Sequence, residues 1–75
     1  MTKNHFLAEM DEILDLPTGT LKGPEQLEVL EGWDSTAMIG FIALVDTHNG
    51  SRISPQKITS CSTISDLLKL AQVED

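Results

Sequence analysis

The chain has one cysteine, five basic side chains and no long apolar run. Each scarcity excludes something. With Cys61 alone, no internal disulfide can form. Cys61 and two distant histidines, His5 and His48, do not make a structural zinc site, which takes four ligands in close pairs, so no metal site is expected. Five bases against twelve acids leave a formal charge of −7. Phosphate binding needs clustered Lys and Arg, which excludes nucleic acid as a partner and an anionic membrane surface for the same reason. No stretch approaches the roughly 20 apolar residues of a membrane-spanning helix, so no membrane insertion is expected. Acids appear by Glu9 and Asp11, which is not the pattern of a secretory signal. A reduced, cytoplasmic setting is therefore the expectation. Basic protein surfaces remain as partners, since net charge of this size speeds encounter more than it tightens a complex.

What is present is helical periodicity. The 75 residues make room for one domain, 1–75, with a modest core, and a monomer is expected. Phe6, Leu7, Met10, Ile13 and Leu14 fall on one face of a 3.6-residue period, which predicts a first helix over residues 4–15. Its other face holds Glu9, Asp11, Glu12 and Asp15, and Pro17 and Gly19 should end it. Residues 16–33 read as a long loop, pinned by Leu21, Leu27, Val29 and Leu30, with Glu25, Glu28 and Glu31 on its acidic side. A central helix over 35–48 is capped by Asp34 or Ser35 and stopped by Asn49-Gly50. Its buried stripe is predicted to be Met38, Phe41, Ile42 and Val45, with Met38 and Met10 as adaptable fillers.

Ser54-Pro55 pairs an N-cap with proline at the first helical position, ahead of a short helix. Thr63 and Asp66 resemble a capping box, followed by a buried stripe of Ile64, Leu67, Leu68 and Ala71. No segment alternates with period two. The expected fold is all-α: a four-helix bundle of three longer helices plus one short one, with a long first loop.

The stretch Gly32-Trp33-Asp34-Ser35-Thr36 carries the chemistry. It puts a hydroxyl at the surface where the long loop meets the central helix. The helix N-terminus is electropositive and suits a phosphate group. The neighbouring Asp34 could help hold Mg²⁺ for an incoming enzyme. Alone, Asp-Ser would be read as no more than a helix cap.

Gly32-x-Asp34-Ser35 resembles the attachment motif of acyl and peptidyl carrier proteins, G-x-D-S-L. The resemblance extends along nearly the whole chain, from the first helix and acidic loop to Ile53-Ser54-Pro55 and the last helix. It implies a 4′-phosphopantetheine arm, taken from coenzyme A, on Ser35, with Asp34 recognised by the phosphopantetheinyl transferase. The arm's thiol would carry acyl or aminoacyl groups as thioesters to the enzymes that load and use them. The chain itself would not be an enzyme. In this family the bundle core can also open to shelter an acyl chain; the motif leaves this open here, and Phe41 is the residue that could fill the space.

Two features depart from the family. Thr36 stands where Leu or Met usually follows the serine. The central helix carries no charge between Ser35 and Asp46, where fatty-acid carriers present several acids. A partner-docking face of Thr36, Ala37, Gly40, Ala43 and Leu44 is expected in their place, with Glu28 and Glu31 supplying steering. This points to a specialised pathway carrier. The alternative is an unmodified acidic helical module that binds a basic partner. Trp33 is expected to anchor the loop, and Cys61, His5 and His48 to be ordinary core-edge or surface residues.

Overall fold

The computed structural model describes residues 2–50 and 52–73. The chain is all-α, and no strand forms among the described residues. Helix α1 spans Lys3–Ile13, α2 Ser35–Asn49, α3 Pro55–Thr59 and α4 Ile64–Leu70, with one 3₁₀ turn at Leu27–Val29.

The caps set the helix ends. Thr2 Oγ1 accepts from the His5 N–H at 3.1 Å and starts α1. That helix stops short of Pro17 and Gly19. Asp15 takes left-handed backbone at φ 58°, and the Leu16 N–H closes on the Asp11 carbonyl at 2.8 Å. Gly50, at φ 67°, ends α2 in the expected way. Ser54 and Pro55 start α3 as expected. Thr63 and Asp66 form a complete capping box on α4. The last helix is shorter than its buried stripe suggests, because Gln72 also turns left-handed (φ 58°) and the Val73 N–H closes on the Leu68 carbonyl at 3.0 Å.

The core is centred on Phe6 of α1 and Phe41 of α2. Both are fully buried, with rings edge to face at 5.9 Å. Met10, Val45, Ile58, Ile64 and Leu67 close around them. Two close approaches set the end of α1 against the loop and against α2. A side chain at Gly32 would meet the Leu14 carbonyl at 2.9 Å, and one at Gly40 would meet Ile13 Cγ2 at 3.3 Å. Glycine at these positions lets the helices and the loop approach.

The long loop is tied down at both ends. Asp11, expected on the solvated face of α1, is 1% exposed. Its Oδ2 accepts from the Gly19 N–H at 2.9 Å and its Oδ1 from the Leu21 N–H at 3.0 Å. A buried carboxylate is tolerated here because two backbone donors come to meet it. Leu21 and Leu27 are buried as expected, whereas Val29 is 68% exposed and pins nothing. Further along, the loop pairs with the start of α4. Leu27 N–H donates to the Ser62 carbonyl at 2.8 Å, Ile64 N–H to Glu25 at 3.0 Å, and Ser65 N–H to Gly23 at 2.8 Å.

Two carboxylates serve as local clamps. Burial pulls Glu25 upward, but the Gly23 and Lys22 N–H groups outweigh it and hold the carboxyl below its ordinary value. The Ser62 and Thr63 N–H groups lower Asp66 in the same way. A carboxyl with a lowered folded-state pKa binds fewer protons folded than unfolded, so it stabilises at higher pH. That stabilisation is complete above about pH 4–4.5 and is lost as pH falls through the folded values. Urea midpoints measured from pH 6 to pH 2.5 should fall steeply below about pH 4, and less steeply in E25Q/D66N. Equal slopes in the two proteins would remove these residues as the cause.

Candidate functional site

The site is built where the loop turns into α2. Trp33 N–H donates to the Leu30 carbonyl at 3.1 Å, closing a turn. Gly32 then lies against the end of α1, where any side chain would strike the Leu14 backbone. This close approach is a physical reason for glycine at that place in the motif. Asp34 follows in extended backbone, and its Oδ1 accepts from the Ala37 N–H at 3.0 Å. Asp34 is therefore the cap, and Ser35 is the first residue of the helix.

Ser35 is exposed. The intrahelical ladder of α2 begins with Met38 N–H donating to the Asp34 carbonyl at 2.9 Å. The N–H groups of Ser35 and Thr36 precede that bond, and helix geometry supplies them no partner within α2. Together with the helix dipole they give an electropositive end. Ser35 stands exposed at this end, with Asp34 beside it oriented by its own cap bond.

The docking residues divide. Glu28, Glu31 and Thr36 are exposed as expected. Ala37 and Leu44 are not: they are 3% and 9% exposed and belong to the core. Gly40 faces Ile13 of α1 and is not an outward position. Of the expected apolar face, Ala43 stays in solvent, and Ile39, which periodicity assigned to neither face, is 67% exposed. The buried stripe is Ala37, Phe41, Leu44 and Val45, while Met38 and Ile42 are half-buried at its side. The helix is thus rotated from its expected orientation. With no charge from Ser35 to Val45, the sequence marks no polar face to fix that rotation.

An open groove of about 590 Å³ is lined by Trp33 and Met38, on either side of Ser35 in the sequence, though not by Ser35 itself. Gln26 and Glu28 of the loop form one wall, Trp33 and Met38 flank the motif, and the α3–α4 junction from Ile58 to Thr63 forms the other wall. Trp33 is half-buried and packs against the core while it lines this groove.

No protein-family model, curated protein or solved structure matches the chain. The functional reading therefore rests on the Gly32-x-Asp34-Ser35 motif together with the geometry around it.

The remaining reactive side chains are quiet. Burial, and then the charge of Asp66, push the Cys61 thiol above its ordinary value, which keeps it protonated. Its Sγ donates to the Lys57 carbonyl at 3.5 Å. His5 and His48 are exposed and meet edge to face at 5.3 Å, with His5 Nε2 3.5 Å from Glu9 Oε1. Among the described residues no three His, Cys, Asp or Glu side chains converge to hold a metal, and no helix is long and apolar enough to cross a membrane. The groove wall at Gln26, Thr59 and Cys61 has no signal in the sequence, because residues 26 and 59–61 meet only through tertiary packing.

Proposed function

We propose that the protein is an acyl carrier protein that bears 4′-phosphopantetheine on Ser35 and has no catalytic activity of its own. On this reading α1–α4 are the carrier four-helix bundle, and residues 16–33 are its long first loop. The observation that carries the proposal is the exposed Ser35 hydroxyl on the first turn of α2, beside an Asp34 held in place by its cap bond. In the attachment step, Ser35 Oγ attacks the pantetheine-bearing phosphorus of coenzyme A. The anhydride P–O bond breaks, adenosine 3′,5′-bisphosphate leaves, and the serine proton passes to a base of the transferase. The arm's thiol then supplies the thioester link to the cargo.

The partners are a phosphopantetheinyl transferase and the enzymes that load and use the acyl or aminoacyl group. The setting is cytoplasmic and the carrier monomeric. Tethering raises the effective concentration of cargo at each docked enzyme, and weak contacts allow exchange between enzymes. Glu28 and Glu31 steer basic partners. Thr36, Ile39 and Ala43 form the small docking surface, with Ile39 taking the part first expected of Ala37 and Leu44.

Incubation with coenzyme A, Mg²⁺ and a broad-specificity transferase should add the mass of one phosphopantetheine, and Ser35→Ala should abolish the gain completely. A folded parent that gains nothing, or a Ser35→Ala variant that still gains it, would overturn the assignment. The first result would favour the unmodified acidic interaction module.

A further inference from the structure

The groove lined by Trp33 and Met38 has a chemistry that discriminates among cargoes. Met38 lies one turn along α2 from Ser35 and Trp33 two residues before it, and both line the groove. A flexible arm rooted on Ser35 can therefore fold back into it. The bottom is apolar, from Leu27 and Ile58, which are 4% and 1% exposed. The rim is polar and hydrogen-bonding, from Gln26, Thr59 and Ser62. Among the described residues, the one charged side chain lining it is the Glu28 carboxylate, and no Lys or Arg does so. The indole of Trp33 supplies an aromatic surface in the same groove.

A carboxylate and an aromatic face both attract a cation, and the net charge of −7 adds to the same field. They repel or ignore a second carboxylate. A long alkyl chain has no ready-made place in the core, because Phe6 and Phe41 fill the interhelical space with no exposure. Such a chain would have to force a close-packed ring pair apart.

We infer, on the carrier reading above, that the groove receives an aminoacyl cargo, with its ammonium group held by Glu28 and Trp33. A dicarboxylic acyl group has no matching partner there, and an alkyl group meets only the apolar bottom, without the charge contact. Glu28 thereby acquires a positioning role besides steering.

The test uses the full chain loaded on Ser35 through non-hydrolysable thioether analogues of coenzyme A carrying glycyl, butyryl, malonyl or dodecanoyl groups. Trp33 is the only tryptophan, so its fluorescence reports the groove directly. The glycyl arm should reduce acrylamide quenching of Trp33 by about two- to fivefold, in line with a cation–π contact plus an exposed charge pair. It should also shift the amide signals of Gln26 and Thr59, and Glu28→Gln should remove both effects. The malonyl arm should leave Trp33 as accessible as the bare arm does, and the butyryl and dodecanoyl arms should protect it clearly less than the glycyl arm. Equal protection by the butyryl arm, or protection that survives Glu28→Gln, overturns the aminoacyl assignment while leaving attachment at Ser35 intact. Absence of any mass gain on Ser35 overturns the carrier reading and this inference with it.

Discussion

Phe41→Ala should destabilise the protein by about 3–5 kcal/mol, the range for removing a large aromatic from a closed core. At roughly 0.05–0.15 kcal/mol per residue, a chain of 75 residues has roughly 4–11 kcal/mol in all. The substitution thus removes much or all of the margin, and the variant should be partly unfolded at 25 °C. The reason is geometric. Phe41 is fully buried and meets Phe6 edge to face at 5.9 Å, so its loss leaves a cavity at the α1–α2 contact. Phe41→Leu keeps most of the volume and should lose about 1–2 kcal/mol. Phe6→Ala combined with Phe41→Ala should cost less than the sum of the two, because the rings touch. Urea unfolding followed by circular dichroism measures all of these. A loss below about 1 kcal/mol for Phe41→Ala would mean that the ring pair is not the centre of the core.

Asp11→Ala should cost about 2–4 kcal/mol, far more than a charged residue on a solvated helix face would. The side chain is 1% exposed, and its two oxygens accept from Gly19 and Leu21. Removing it strands two loop N–H groups, the second of them buried. Hydrogen exchange at the Gly19 and Leu21 amides should then accelerate more than exchange within α2. Glu12→Ala, one residue along on the exposed side of α1, should stay within about 0.5 kcal/mol of the parent. If Asp11→Ala behaves like Glu12→Ala, the tie between α1 and the loop does not exist. The tie matters to the site, because the same loop continues through Gly32 and Trp33 to Ser35.

These two residues mark the boundary between what is local and what is tertiary. The sequence by itself determined the punctuation: Ser54-Pro55, Thr63 with Asp66, Asn49-Gly50, and Asp34-Ser35 at the head of α2. It also determined the buried stripe of α4, Ile64, Leu67, Leu68 and Ala71. Caps are hydrogen bonds between residues two to four apart, so their chemistry is complete within a short stretch of sequence. The candidate nucleophile was legible for that reason, since Ser35 follows directly from its cap.

The tertiary structure decided the rest. Asp11 is buried only because donors eight and ten residues away fold back to it. The ends of α1 and α4 depend on left-handed backbone at Asp15, a residue type that tolerates it, and at Gln72, one that seldom adopts it. With no charge from Ser35 to Val45, the sequence of α2 leaves more than one apolar facing open. Packing against Ile13 and Phe6 chose the one that buries Ala37 and Leu44 and turns Ile39 outward. The groove likewise exists only where the loop, α2 and the α3–α4 junction meet. Hydrogen-bond chemistry within a turn is written in neighbouring residues, whereas the facing of an uncharged helix is settled only by the surfaces that close upon it.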